Sequence, residues 1–169
     1  MNAGGMPVMM ATFAVTTALA LAGLVETPAR IAYNATSSAP IGFYRLSDPE
    51  RLTKGTWVLV HLPPEAERLA DQRGYLPADV PALKRLAAAP GARVCRSGAV
   101  VSIDGRIVAH ALAHDRLGRA LPRWQGCHRL APGQAFLLSG ADPAAFDGRY
   151  FGPTSTRLIL AEARPLWTW

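Results

Sequence analysis

Hydrophobic positions follow two regimes along this chain. Residues 6–25 form one uncharged run, MPVMMATFAVTTALALAGLV. At about 1.5 Å per helical residue such a run spans roughly 30 Å, the thickness of a bilayer core, and it predicts a single transmembrane helix. Two readings compete with that one. A cleaved signal peptide fits the small residues Ala18 and Ala20, but no Lys or Arg precedes the run and it is longer than a usual signal core. A buried helix of a soluble domain is the other.

Beyond Glu26 the apolar stretches shorten and are broken by Gly and Pro. Strands are expected at 30–34, 42–46, 56–62, 82–88, 100–103, 106–109, 135–139 and 156–163. The pair 100–103 and 106–109 flanks Asp104-Gly105, a strong signal for a type I′ hairpin. A short polar helix is expected at 65–73, stopped by Gly74 and Pro77. No βαβ alternation and no internal repeat occurs. The pattern therefore predicts an all-β, mainly antiparallel domain on one N-terminal transmembrane helix, with residues 1–25 as anchor and 26–169 as the folded domain.

The chain has 169 residues, 50% of them hydrophobic, which suits one domain with a real core and excludes a disordered tail or a cysteine-stapled mini-protein. Net charge is +6, and no charged side chain occurs before Glu26. The arginines are scattered singly without aromatic interleaving, so nucleic acid is not an expected partner. A basic surface facing the lipid of the inner membrane fits better. Among the 18 basic residues only Lys54 and Lys84 are lysines. Arginine stays protonated, so only these two offer a basic side chain that can give up its proton.

Cys95 and Cys127 are the chain's two cysteines and do not form a Cys-x-x-Cys motif. One well-separated pair suits a disulfide in an oxidising compartment, closing a loop that stabilises by roughly 3–4 kcal/mol in the chain-entropy view. Two buried free thiols are the alternative. Arg30, following the apolar run, favours the opposite membrane orientation, although that rule loses force for long translocated domains. His110 and His114 have the i, i+4 spacing of helical metal ligands, with His128 beside Cys127. No carboxylate or further cysteine completes a zinc set, so no metal and no cofactor are expected.

Three segments carry candidate chemistry. Residues 34–44, NATSSAPIGFY, form a tight turn in which a serine can present its hydroxyl and its own N–H to a carbonyl carbon, the arrangement acyl transfer requires. Ser and Thr beside Pro are also ordinary turn residues. In the strand at 82–88, period 2 places Lys84 on one face with Ala82, Leu86 and Ala88. Burial there lowers an ammonium pKa and supplies the neutral amine that a serine nucleophile needs; a lysine reaching out to water is the bland alternative. In 146–153, Asp147 either orients a lysine or pairs locally with Arg149.

Taken together and in this order, these segments resemble the type I signal peptidases, above all the conjugative-transfer signal peptidases of the TraF type. The turn matches an Asn-x-Thr-x-Ser-x-Pro-x-Gly-x-Tyr pattern at Asn34, Thr36, Ser38, Pro40, Gly42 and Tyr44. Leu83-Lys84-Arg85 with Pro90-Gly91 resembles the lysine box. Pro132-Gly133, Leu138-Ser-Gly-Ala-Asp142 and Asp147-Gly-Arg-Tyr-Phe-Gly152 resemble the C-terminal boxes. The resemblance implies Ser38 as nucleophile, Lys84 as general base, Thr36 with the Ser38 N–H as oxyanion hole, and Asp147 as an acidic residue near the lysine. It implies a serine endopeptidase on the periplasmic side of the inner membrane that cleaves exported precursors, such as a conjugative pilin, after small side chains. The resulting acyl-enzyme is open either to hydrolysis or to cyclisation of the product. A general secretory signal peptidase and a non-catalytic scaffold of a secretion apparatus are the alternatives. Ala88, Ala92 and Ala145 depart from the family pattern. Ala145 stands where the broader family often has a serine that bonds the lysine, which would leave more of that orienting role to Asp147.

Overall fold

The computed structural model describes residues 5–22, 29–50, 52–140 and 142–169. Helix α1 (Gly5–Ala22) carries no charge, and its Val8, Met9, Met10, Phe13 and Val15 are exposed. Two of its three hydroxyls turn inward on the helix: Thr12 donates to the Val8 carbonyl at 2.9 Å and Thr16 to the carbonyls of Thr12 and Phe13 at 3.0 Å. Among the described residues no helix is long and apolar enough to cross a membrane. The run expected to span the bilayer continues to residue 25, and residues 23–25 lie outside the described residues. The transmembrane part of the expected architecture is thus left without support from the fold.

The β-domain is as expected in class and richer in strands. A seven-stranded antiparallel sheet has the order β1-β2-β11-β3-β4-β9-β10, built from β1 (Ile31–Asn34), β2 (Gly42–Ser47), β3 (Trp57–Val60), β4 (Ala82–Ala88), β9 (Gln134–Leu138), β10 (Thr154–Ser155) and β11 (Ile159–Thr168). A second sheet has the order β7-β6-β5-β8, from β5 (Arg93–Ser97), β6 (Val100–Ile103), β7 (Arg106–His110) and β8 (Gly126–Arg129). Two short helices, α2 (Pro64–Gln72) and α3 (Gly148–Phe151), pack beside them. Residues 156–158 form a 3₁₀ turn, so the final strand starts at Ile159 instead of 156.

Alternation sets the faces. In β2, Tyr44 and Leu46 point inward while Phe43 and Arg45 face out. Val58, Val60, Leu86, Leu137 and Ile159 form the centre of the large sheet's core. Val94, Val101 and Ile103 of the small sheet close on Ala88 and Phe136, which joins the two sheets into one core. Asp104 and Gly105 both take left-handed φ, 50° and 79°, as the type I′ hairpin requires.

Strands β5 and β8 were not foreseen. They place Cys95 directly opposite Cys127, and the two sulfurs are bonded, which removes the free-thiol alternative. His110 closes β7 and His114 lies in an isolated bridge with Ala120, so the helical spacing imagined for a metal pair is not realised.

Candidate active site

The turn between β1 and β2 holds Ser38. Pairing of Asn34 with Gly42 fixes its two ends. Gly42 has φ of +140°, and a Cβ there would stand 2.1 Å from the Trp167 carbonyl oxygen, so only glycine fits. Inside the turn, the Asn34 side-chain amide donates to the carbonyls of Thr36, Ala39 and Pro40 at 2.8–3.1 Å. Its oxygen accepts from the Thr36 N–H at 3.3 Å and the Thr36 hydroxyl at 3.0 Å. Tyr44, fully buried, donates to the Pro40 carbonyl at 2.7 Å. The motif's Asn, Gly and Tyr are thus the frame of the turn. What they present is a pair of hydroxyls, Thr36 Oγ1 and Ser38 Oγ, 2.8 Å apart.

Lys84 lies on β4, opposite Val58 of β3. It is only 5% exposed, so its ammonium does not reach water. Burial pushes its pKa down to about 8; Asp147 opposes that shift, Arg149 reinforces it and Asp142 opposes it. Lys84 Nζ donates to Ser139 Oγ at 2.9 Å. Among the described residues no hydrogen bond joins Lys84 directly to Ser38.

Asp147 is completely buried, and of the two roles considered for it the local pairing with Arg149 is the one realised. It pairs with Arg149 (Nε to Oδ1 2.8 Å, Nη2 to Oδ2 2.9 Å) and caps α3 by accepting from the Arg149 N–H. Its Oδ2 also accepts from the Ser139 N–H at 2.8 Å. Its influence on Lys84 is through the field and through Ser139. The next residue, Gly140, donates its N–H to the Ser38 carbonyl at 2.6 Å. Ser139 was not singled out from the sequence, although it lies inside the segment 138–142. Its position relative to Ala145 carries no spacing cue. Only the pairing of Arg85 and Leu86 with Leu138 and Leu137 sets it beside Lys84.

Ser38, Thr36 and Lys84 all line one cleft of about 670 Å³. Leu62, Leu83, Leu121 and Phe146 contribute apolar wall, Ala82, Ala144 and Ala145 leave room, and Arg73, Asp115, Arg116 and Arg119 give it a charged end. Ser37, between the two presented hydroxyls, points elsewhere in function: it donates to Asp142 at 2.6 Å, and this bond holds the Asp142 carboxyl below its usual pKa. The cleft brings together a hydroxyl pair, a buried amine and backbone hydrogen-bond donors.

Comparison with known proteins bears on the family. A family model described as signal peptidase, peptidase S26, matches residues 6–169. A plasmid transfer protein TraF of Escherichia coli is 35% identical over 147 residues, covering 80% of this chain and 82% of that protein. A conjugal transfer protein TraF of Agrobacterium fabrum is 32% identical over 167 residues, 89% of this chain and 93% of that one. A solved signal peptidase I of Enterococcus faecalis aligns at a TM-score of 0.40 and 15% identity, over 69% of this chain and 98% of its own. The family match spans nearly the whole chain, and on that ground the chain belongs to the signal peptidase family, peptidase S26.

Proposed function

We propose that the protein is a membrane-anchored serine endopeptidase in which Ser38 and Lys84 form the catalytic dyad. The observation that carries this reading is the burial of Lys84 in the same cleft as Ser38, with its pKa lowered to about 8. A lysine there has a neutral amine within reach at mildly alkaline pH.

In this mechanism the Ser38 side chain turns from Thr36 towards Lys84. Its Oγ bonds to the scissile carbonyl carbon as Lys84 Nζ takes the hydroxyl proton. The Ser38 N–H holds the oxyanion together with the Thr36 hydroxyl, which swings its single proton from Asn34 Oδ1 to the substrate. Collapse breaks the C–N bond, and Lys84 returns the proton to the departing amine. Water then attacks the acyl-enzyme, Lys84 again accepting a proton and passing it to Ser38 Oγ. The arrangement is a Ser–Lys counterpart of the serine triad.

Both relatives are named for plasmid or conjugal transfer, so the precursor proposed is an exported protein with a signal peptide belonging to a conjugation apparatus, such as its pilin. We place the domain on the periplasmic face of the inner membrane. The disulfide suits an oxidising compartment. The charge-free α1, with the Thr12 and Thr16 hydroxyls bonded to its own carbonyls, suits lipid, where no water completes such bonding. The exposed aromatic strip of Tyr33, Phe43, Trp167 and Trp169 suits the headgroup layer.

The test is Lys84→Arg, with Lys84→Met as a companion, co-expressed with the candidate pilin precursor. Loss of processing in folded variants is expected. Full processing by either one overturns the dyad. The mass of the mature product tells hydrolysis from cyclisation, since the cyclic form lacks one water.

A further inference from the structure

We infer that Ser139 is the positioning residue of the general base, its hydroxyl holding Lys84 Nζ in the orientation from which it serves Ser38. This rests on the Ser38/Lys84 reading above and adds to it a residue to which the resemblance assigned no role.

Position 145, from which a serine would reach the lysine in the broader family, is alanine here. Lys84 nevertheless has a hydroxyl partner, since its Nζ donates to Ser139 Oγ at 2.9 Å, and both residues are buried, at 5% and 8% exposure. An amine that gives one N–H to a fixed oxygen loses free rotation, and its lone pair is confined to the two remaining staggered directions. The oxygen is itself fixed. The Ser139 N–H donates to Asp147 Oδ2 at 2.8 Å, and Asp147 is locked by Arg149. The neighbouring Gly140 N–H donates to the Ser38 carbonyl at 2.6 Å. A Cβ on Gly140 would stand 3.4 Å from that carbonyl oxygen, so the approach is close. A two-residue bridge therefore ties the partner of the base to the backbone of the nucleophile. Misplacing either by an ångström is enough to slow such a step by about 100-fold.

The experiment compares Ser139→Ala, Ser139→Cys and Ser139→Thr in the full chain. The substrate is a fluorogenic peptide with alanine at the first and third positions before the scissile bond. Ala and Cys are expected to lower kcat by about 10- to 100-fold with little change in KM, and Thr, which keeps the hydroxyl, to recover most of it. A second measurement needs no substrate. The chain has only two lysines, so ¹³C-lysine labelling reports Lys84 beside Lys54 as internal control. The Lys84 midpoint is expected to fall in Ser139→Ala, because an acceptor of its charged form is gone, while Lys54 stays put. A kcat for Ser139→Ala within twofold of the parent, a Thr variant no better than Ala, or an unmoved Lys84 midpoint overturns the inference. If Ser38→Ala and Lys84→Met are inactive while Ser139→Ala is not, the inference alone fails. If Ser38→Ala still cuts the peptide, the dyad fails and the inference with it.

Discussion

Asp147 grips Arg149 through both carboxylate oxygens, with the pair almost wholly shielded from solvent. Arg149 donates further to the carbonyls of Asp142, Pro143 and Ala145, which fastens the segment between β9 and α3. Replacing Asp147 by Asn leaves a buried guanidinium without its counter-charge. Asp147→Asn is therefore expected to lose about 3–5 kcal/mol of stability, and chemical denaturation measures it. An unchanged midpoint, with activity gone, would instead make Asp147 a participant in the chemistry.

The pH dependence of cleavage follows from Lys84. Its amine is the reactive form, so kcat/KM is expected to rise with pH and level off above a midpoint near 8. A peptide-cleavage profile from pH 6 to 10 checks it. A plateau already reached at pH 6 contradicts the assignment of Lys84 as base.

The same residue weakens the fold. In the unfolded chain its pKa is the ordinary 10.5, in the folded one about 8, so between these values unfolding takes up a proton. The cost of burying the charge is fully present below pH 8 and fades as pH rises to 10.5. Lys84→Met is expected to be more stable than the parent at pH 7, by on the order of 3 kcal/mol, and to lose that advantage near pH 10.5. Thermal melts of both proteins across that range decide it.

Asn34 supplies the internal bonds of the nucleophile turn and orients the Thr36 hydroxyl. Asn34→Ala is expected to lower kcat by about 100-fold, since the turn that places Thr36 and Ser38 loses the bonds to its carbonyls, with a stability loss of about 1–3 kcal/mol. Steady-state kinetics beside a melting curve separates the two effects. Wild-type kcat in this variant would mean that the Asn34 bonds do not place Thr36 and Ser38.

The sequence foreshadowed the parts that depend on local pattern. Period 2 across Ala82, Lys84, Leu86 and Ala88 already put the lysine on an apolar face, leaving open whether it reached out to water, and Asp104-Gly105 already implied its hairpin. What escaped depends on contacts between distant segments. Strand β5 was hidden because its inward position Arg96 reads as a surface residue. Arg96 is buried at 3% exposure because its guanidinium is satisfied by the carbonyls of Gly98, Pro122 and Arg149. Strand β8, Gly126–Arg129, is exposed throughout and has no apolar alternation to detect. Ser139 is one hydroxyl among many until strand register places it at Lys84.

Strand β11 lies between β2 and β3, although it follows them by about a hundred residues in the chain. Its far end closes the nucleophile turn: Trp167 crosses over Gly42, and the Trp169 N–H donates to the Ile41 carbonyl at 3.0 Å. During synthesis, then, Ser38 emerges long before the residues that complete its surroundings. A nascent chain therefore carries the Ser38 hydroxyl without the finished turn, which is completed only when β11 has been inserted.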